Sequence, residues 1–265
     1  MSGRVLVTGA AGTIGSMLRT GLPSAGWRLR LLDTAALGPP GDGEELVQAD
    51  VRDTAALPAA MTDVDAVVHL AGIPTEAPFA DLLAVNIEGT YNVFDAARRA
   101  GVRRIVFASS NHAVGFTPRA ELVGIDVPPR PDTYYGVSKV LGEALGRLYV
   151  DRYGMQFAAL RIGTCRDRPV ARRHLATWLS PGDMVRLADA CLSAPDLTYA
   201  VVYGISANTR RWWDLGPGRE LGYSPQDDAE RYAAEVLASS PPLDPGSPEE
   251  RYLGGEFAGP DFDDP

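Results

Sequence analysis

The chain has 265 residues, a net charge of −9 and 45% hydrophobic residues, a composition typical of a water-soluble globular protein with a sizeable core. The acidic balance disfavours nucleic acid as a partner, because binding to phosphates needs a positive surface. No apolar run approaches the roughly 20 residues of a membrane helix, and two cysteines and three histidines show no disulfide or metal-ligand spacing. Without a signal peptide, the sequence predicts a cytoplasmic protein with no metal and no membrane partner.

Short apolar segments alternate with helical patterns along the chain. The predicted strands are Val5–Thr8, Leu29–Leu32, Leu46–Val47, Ala66–Leu70, Arg104–Phe107, Phe157–Ile162 and Ala200–Tyr203. The longest predicted helices run from about 79 to 100 and from about 134 to 153, and each ends near a glycine, as helices often do. This alternation predicts an α/β fold with a doubly wound, mostly parallel sheet, that is, a Rossmann-like fold.

The pattern changes after Gly163, where a basic stretch precedes a short predicted helix around 183–193. We predict a single domain made of a cofactor-binding core over 1–162 and a small C-terminal substrate cap over 163–238. The remaining residues, 239–265, are rich in proline, glycine and acidic residues, which predicts an extended tail.

Three glycines follow the first predicted strand and open the first helix. Gly9 permits a tight turn, Gly12 lets the backbone approach a pyrophosphate, and Gly15 permits close packing of the helix on the strand. The phosphates would bind the free N–H groups of the helix N-terminus. Because this loop stands between a strand and a helix, we interpret it as a dinucleotide site, with a purely structural turn as the alternative.

Asp33 ends the second predicted strand, about where an acidic residue contacts the adenosine ribose in such sites. No arginine follows it directly, so a 2′-phosphate would be repelled, which favours NAD over NADP; a helix cap or a turn is the alternative role. The full set predicted to bind NAD is Gly9, Gly12, Thr13, Ile14, Gly15, Asp33, Asp50, Val51, Leu70, Ala71, Gly72, Asn86, Ser109, Tyr135, Lys139, Ile162 and Cys165.

Tyr135 and Lys139 are four residues apart, on one face of the second long helix. Lys139 is the only lysine in a chain with 25 lysine and arginine residues, which indicates chemistry that arginine cannot perform. A tyrosine needs a nearby cation to act as a base at neutral pH, since its ordinary pKa is about 10. Ser110 follows the fifth strand, at the sheet edge where ligands bind in such folds. We predict that these three residues are catalytic; a surface tyrosine–lysine pair is the alternative.

These motifs together resemble the extended short-chain dehydrogenase/reductase superfamily. Further segments resemble the bacterial uronate dehydrogenases more closely, and they cover nearly the whole chain: Phe107–His112, Tyr135–Lys139, Arg161–Cys165, Thr177–Trp178, Ser206–Asn208 and Trp212–Asp214. The resemblance implies NAD-dependent oxidation of D-glucuronate or D-galacturonate at the anomeric carbon, which gives the lactone of the aldaric acid. It also implies that Tyr135 takes the proton of the C1 hydroxyl, that Lys139 lowers the tyrosine pKa, and that Ser110 orients the C1 oxygen.

The same resemblance implies the remaining contacts of a hexuronate substrate. Asn111 and His112 would bind sugar hydroxyls, Thr164 would supply a further hydroxyl, and Arg173 would bind the substrate carboxylate as a planar, bidentate donor. Pro74 stands where the family commonly has a serine, so one substrate hydrogen bond is missing from the pattern.

Three other functions remain open from the sequence. The first is an NAD-dependent epimerase or dehydratase for sugar nucleotides, which keeps its cofactor bound and releases no NADH. The second is a non-catalytic NAD-sensing protein of the same fold, and the third is an NADPH-dependent ketone or aldehyde reductase, which Asp33 disfavours. We also expect a homo-oligomer, because related proteins self-associate through exposed helix faces.

Overall fold

Seven parallel strands form the centre of the computed structural model, which describes residues 3–119, 122–259 and 262. The strands are β1 (Arg4–Thr8), β2 (Arg28–Asp33), β3 (Glu44–Gln48), β4 (Ala66–His69), β5 (Arg104–Ser110), β6 (Gln156–Ile162) and β9 (Tyr199–Gly204). Their order is β3-β2-β1-β4-β5-β6-β9. Strands β2 and β3 are added on one side of β1 and the later strands on the other side, so the strand order reverses between β1 and β4, at a switch point where such sheets bind ligands. The predicted α/β, Rossmann-like fold is confirmed, and every strand pair of this sheet is parallel.

Two short strands and ten α-helices complete the regular structure of the described residues. The strands β7 (Thr164–Cys165) and β8 (Trp178–Leu179) pair with each other. The helices are α1 (Thr13–Gly21), α2 (Leu57–Ala60), α3 (Phe79–Leu82), α4 (Gly89–Arg99), α5 (Tyr134–Tyr153), α6 (His174–Thr177), α7 (Pro181–Ser193), α8 (Gly216–Glu220), α9 (Ala233–Ser239) and α10 (Pro248–Arg251). Single 3₁₀ turns occupy Leu22–Ala25, Asn111–Val114, Ala229–Tyr232 and Gly255–Ala258. Among the described residues, none of the helices is both long and apolar enough to cross a membrane.

Both faces of the sheet are covered by helices. Successive residues of β4 show this, because Val67 belongs to one apolar core and Val68 to the other. Leu18 of α1 and Leu187 of α7 lie in the core with Val68, whereas Phe94 of α4 lies in the core with Val67. Strands buried on two sides explain why the sequence shows short apolar runs rather than alternation of polar and apolar residues.

Helix α5 carries the predicted tyrosine–lysine pair and has the predicted bounds. It begins after Thr133, whose hydroxyl accepts a hydrogen bond from the N–H of Gly136. It ends at Gly154, which takes up the left-handed conformation (φ 64°) that glycine adopts without strain. These local signals set both ends of the helix.

Glycines in α5 let the helix lie close to the sheet. A Cβ at Gly142 would overlap the ring of Phe107, and a Cβ at Gly146 would overlap the ring of Phe157. The two phenylalanines belong to β5 and β6, so the residues of α5 in the preceding turns are brought to the ends of these strands.

The helix predicted over about 79–100 contains an irregular turn. A π-helical turn, Leu83–Glu88, joins α3 to α4. Within it, Asn86 accepts a hydrogen bond from the N–H of Ile73 (2.7 Å) and donates to the carbonyl of Ile73 (3.0 Å) and the hydroxyl of Ser138 (3.2 Å). The irregular turn therefore places one amide side chain between the loop after β4 and helix α5.

The prediction of an extended tail over 239–265 is wrong for its described residues. This segment begins at the last residue of α9 and contains α10 and a 3₁₀ turn, and Leu253 is wholly buried. The backbone N–H of Leu253 donates to the carbonyl of Thr117 (3.0 Å), and that of Gly254 to the carbonyl of Gly115 (2.8 Å). Composition alone misses these long-range contacts. The division of the chain near 162 and 238 stays a prediction.

Candidate active site

A cleft of about 850 Å³ opens at the carboxyl ends of β1, β2, β4, β5 and β6. Most of the residues predicted to form the site line this cleft: Gly9, Gly12, Thr13, Ile14, Gly15, Asp33, Asp50, Val51, Leu70, Ala71, Gly72, Ser109, Ser110, Asn111, His112, Tyr135, Lys139, Ile162 and Cys165. Three predicted residues are not among its lining residues, namely Asn86, Thr164 and Arg173.

The backbone of the glycine loop lies so close to neighbouring backbone that only glycine fits at Gly9 and Gly15. Gly9 has a φ of 71°, and a Cβ there would lie 2.7 Å from the backbone nitrogen of Ala71. A Cβ at Gly15 would lie 2.5 Å from the carbonyl oxygen of Gly9. No side chain caps the N-terminus of α1 at Gly12, and the first residues of this helix line the cleft, so their N–H groups suit a pyrophosphate. The residues present therefore fit a bound dinucleotide.

Asp33 makes turn contacts, one of the two roles that the sequence left open, and its position is compatible with the other, ribose binding. Its carboxylate accepts hydrogen bonds from the N–H groups of Ala11 and Ala35, both at 2.9 Å, and so fixes the turn after β2. The same side chain lines the cleft beside the glycine loop, in the position of a ribose acceptor. Nearby, Arg52 lies 2.6 Å from Asp50 and keeps the pKa of that carboxyl below its usual value.

Ser110, Tyr135 and Lys139 come together in one wall of the cleft. Ser110, at the end of β5, lies beside Tyr135, and its hydroxyl acts to lower the pKa of the phenol. The Nζ atom of Lys139 lies 5.3 Å from the centre of the Tyr135 ring and 5.2 Å from that of Phe107. This grouping can place a base, a hydroxyl and a cation around one reacting oxygen.

Burial changes the pKa values of both members of the tyrosine–lysine pair. Burial raises the pKa of Tyr135 to about 12, and the hydroxyl of Ser110 opposes this change only in part. Burial lowers the pKa of Lys139 to about 8, because a charged group is poorly solvated there. The protein's own groups therefore do not produce the lowered tyrosine pKa that the family resemblance implies.

Asn111 and His112 line the cleft directly after Ser110, in the 3₁₀ turn after β5, and the His112 ring lies 5.9 Å from that of Tyr135. In the amide orientation that satisfies both ends, Asn111 donates to the carbonyl of Ile162 (3.0 Å) and accepts from Nη2 of Arg173 (3.2 Å). His112 Nδ1 lies 2.9 Å from the carboxylate of Asp132. Two polar side chains are thus held next to Tyr135, in a place suited to sugar hydroxyls.

Arg173 lies behind Asn111, outside the lining of the cleft. Its Nη2 atom donates to the carbonyl of Leu253, and its buried Nη1 atom has no hydrogen-bond partner in the part of the chain that the structure describes. Burial lowers its pKa to about 10, so the guanidinium remains charged at neutral pH. It lines a separate cavity of about 330 Å³, together with Arg119 and Arg172.

Other predicted residues are engaged with neighbouring protein groups. The hydroxyl of Thr164 is hydrogen-bonded to that of Thr177 (2.9 Å). Ser109 lines the cleft, but its hydroxyl donates to a carboxylate oxygen of Glu143 (2.6 Å). Burial raises the pKa of the Cys165 thiol to about 12, so this residue is a lining group rather than a nucleophile.

Three residues at the site escape the sequence analysis. Asp132 binds His112, and the ring of Phe257 packs at a tilt against the same imidazole with ring centres 4.4 Å apart. Glu76 accepts hydrogen bonds from the backbone N–H groups of Tyr134 (3.2 Å) and Tyr135 (2.8 Å), where it caps helix α5. All three contacts join distant parts of the chain, and no local motif signals them.

The fold and the cleft define an NAD-dependent oxidoreductase of the short-chain dehydrogenase/reductase class. Residues 5–165 match the family model described as "NAD dependent epimerase/dehydratase family". The uronate dehydrogenase of Agrobacterium fabrum is 46% identical over 254 residues, 96% of either chain, and that of Pseudomonas syringae pv. tomato is 42% identical over 96% of this chain and 92% of its own.

A solved structure gives the same relationship in three dimensions. A variant of the uronate dehydrogenase of Agrobacterium tumefaciens, complexed with NAD, superposes with a TM-score of 0.92 at 45% identity over 97% of both chains. The chain belongs to the NAD-dependent epimerase/dehydratase family and, within it, to the uronate dehydrogenases.

Proposed function

We propose that this protein oxidises a hexuronate, D-glucuronate or D-galacturonate, at the anomeric carbon and reduces NAD, with Tyr135 as the general base. The observation that carries this proposal is the meeting of Tyr135, Ser110 and Lys139 in a cleft whose glycine loop fits a dinucleotide. The similarity to uronate dehydrogenases supplies the substrate class. A hexuronate ring is a cyclic hemiacetal, so loss of hydride from C1 and of the proton from its hydroxyl leaves a lactone.

The residues of this chain handle the proton and the substrate oxygen. Tyr135 accepts the proton of the C1 hydroxyl, and Ser110, which lines the cleft beside Tyr135, holds the C1 oxygen. Lys139 is mainly charged at pH 7, since its pKa is about 8, and this nearby cation stabilises the phenolate. When bound, NAD supplies the hydride acceptor and a further positive charge. The protein's own groups leave the pKa of Tyr135 at about 12, so the positive charge of bound NAD would have to supply the remaining stabilisation of the phenolate.

The polar groups beyond Tyr135 account for recognition of the sugar. Asn111 and His112 line the cleft and contact hydroxyl groups. Arg173 touches Asn111 through Nη2 and has a buried Nη1 atom without a partner among the described residues, which supports a role in binding the carboxylate. Pro74 lines the cleft where the family commonly has a serine, and it offers no hydroxyl to the sugar.

The direct test mixes the purified protein with NAD and, separately, glucuronate, galacturonate and their neutral parent sugars, and follows NADH absorbance. We expect NADH with both uronates and much less with glucose or galactose. Absence of NADH with all four sugars would overturn the proposal in favour of an epimerase, which returns its hydride to the substrate. Equal turnover of the neutral sugars would remove the carboxylate from recognition.

Replacing Arg173 with methionine should raise KM for uronates between about 10- and 100-fold, because a charge-assisted hydrogen bond is lost. The dissociation constant of NAD should change little, since Arg173 does not line the cleft beside the glycine loop. Arg168→Met is the matched control, because Arg168 is exposed in the same basic stretch and pairs with Glu235. An unchanged KM for uronates in Arg173→Met would show that Arg173 does not bind the carboxylate.

We further propose that the reaction takes place in the cytoplasm. Within the described residues, Cys165 and Cys191 are both free thiols, as is usual in a reducing compartment.

The protein also forms a homo-oligomer in this proposal. Exposed apolar side chains lie on helices α3, α4 and α5. They are Phe79, Tyr91, Tyr134 and Leu148, each 44% to 49% accessible. Such a surface is typical of a protein interface. Light scattering after gel filtration should give a multiple of the 28.3 kDa chain mass; a monomer at all concentrations tested would contradict self-association.

A further inference from the structure

Asp132 is a buried carboxylate beside the candidate active site. Its side chain is wholly inaccessible, and its two oxygens lie 2.9 and 3.1 Å from Nδ1 of His112. The hydroxyl of Thr133 donates to the same carboxylate at 3.3 Å. Burying a carboxylate costs free energy unless hydrogen-bond donors compensate for the lost water. The contact with His112 is therefore a principal source of stabilisation for the buried Asp132.

Two glycines from distant parts of the chain make room for this carboxylate. A Cβ at Gly115 or at Gly254 would overlap a carboxylate oxygen of Asp132. The N–H of Gly254 donates to the carbonyl of Gly115 (2.8 Å), which fixes the two backbone segments against each other. The carboxylate is therefore confined in position as well as buried.

The imidazole of His112 is confined by the same arrangement. Its ring lies 4.4 Å from that of Phe257 and 5.9 Å from that of Tyr135, between centres. With Nδ1 bound to Asp132, Nε2 is the nitrogen left to face a ligand, and His112 lines the cleft. A carboxylate on one imidazole nitrogen fixes the tautomer and the orientation that the other nitrogen presents.

We propose that Asp132 is a positioning residue, which holds the Nδ1–H tautomer of His112 so that Nε2 binds a sugar hydroxyl of the substrate. This inference rests on the proposed function for its substrate. It assigns Asp132 no contact with the substrate itself, because the carboxylate has no accessible surface.

The charge of Asp132 provides a way to separate positioning from electrostatics. Asp132 adds to the burial that raises the pKa of Tyr135. By charge alone, neutralising Asp132 would make Tyr135 easier to deprotonate and would increase activity at neutral pH. The positioning role predicts the opposite, since an amide at this place can donate to Nδ1 and favour the other tautomer.

The experiment is a double-mutant cycle with Asp132→Asn and His112→Ala, in which kcat and KM for glucuronate are measured with saturating NAD. We expect Asp132→Asn to lower kcat/KM at least about tenfold, mainly through KM, with the dissociation constant of NAD unchanged. In the His112→Ala background the same change should alter kcat/KM by less than about twofold. Asp151→Asn is the control, because Asp151 lies exposed on α5, away from His112, and pairs with Arg147.

Two kinetic results would overturn the proposal: an unchanged or increased kcat/KM in Asp132→Asn, or an equal loss in both backgrounds. The second result would indicate a general structural role, which a lower melting temperature would accompany. Nitrogen NMR of the His112 ring gives a readout that needs no turnover. A protonated Nδ1 in the wild type that persists in Asp132→Asn would also overturn it. If the wild type fails to oxidise uronates, the proposed function fails, while NMR still decides the tautomer.

Discussion

The Tyr135→Phe variant should lose between about 10²- and 10⁴-fold in kcat for uronate oxidation, the range that a positioned general base contributes. The change removes one oxygen atom and keeps the ring in its buried place between Ser110 and Lys139. Because the glycine loop and Asp33 are untouched, the dissociation constant of NAD should stay within about twofold of the wild type. Steady-state kinetics and a titration with NAD measure the two quantities separately.

The neighbouring tyrosine gives a matched control for this variant. Tyr134 precedes Tyr135 on α5, but it is 48% exposed and touches the ring of Phe79. Tyr134→Phe should leave kcat essentially unchanged. If Tyr135→Phe kept most of its activity, another group would have to take the proton, and if it lost NAD binding to the same extent as activity, the role of Tyr135 would be structural.

Most of the fold could be predicted because its signals are local. Both long helices end at glycines, and Thr133 marks the start of α5 by its own hydroxyl. The strands are short apolar runs because both faces of the sheet are buried. The order of the strands in the sheet follows from the general behaviour of alternating strands and helices.

The folded tail and the π-helical turn at Asn86 could not be predicted, because their causes lie elsewhere in the chain. The tail is rich in residues typical of extended segments, yet the Leu253 side chain is buried in the apolar core and its backbone N–H donates to Thr117. The amide of Asn86 is bound to Ile73, which precedes it by 13 residues. Local composition contains no information about such partners.

The candidate active site likewise contains residues with local sequence signals and residues that only the fold brings together. The glycine loop, Ser110 and the pair on α5 are adjacent to clear sequence signals, and they line one cleft. Asp132 is 20 residues from His112, and Glu76 is 59 residues from Tyr135, so only the fold brings these partners together. The family resemblance predicts Arg173 as the residue that binds the carboxylate, but it does not predict that the guanidinium packs behind Asn111.

Arg161 and Glu143 form a buried ion pair near the catalytic residues, and we expect its disruption to have a large effect on stability. Glu143 follows Lys139 by one helical turn on α5, and its oxygens accept hydrogen bonds from Nε (3.0 Å) and Nη2 (2.8 Å) of Arg161 and from the hydroxyl of Ser109 (2.6 Å). The side chains of Arg161 and Glu143 are 5% and 7% accessible. The pair therefore joins α5 to β6 and to β5, directly before Ser110.

Arg161→Met should lower the free energy of unfolding by about 3–5 kcal/mol, because it leaves the Glu143 carboxylate buried without its cation. Denaturant unfolding at constant pH measures this loss. The control is Arg147→Met, which breaks the exposed pair with Asp151 and should cost less than about 1 kcal/mol.

The double replacement Glu143→Leu with Arg161→Met decides whether the loss comes from the uncompensated charge or from lost packing. Two apolar side chains of similar volume remove the buried carboxylate, so the double variant should be more stable than Arg161→Met alone. A double variant less stable than Arg161→Met would mean that packing and the bond to Ser109 dominate. Recovery of stability without recovery of kcat would show that the pair serves the placement of Ser110 and α5 more than the stability of the fold.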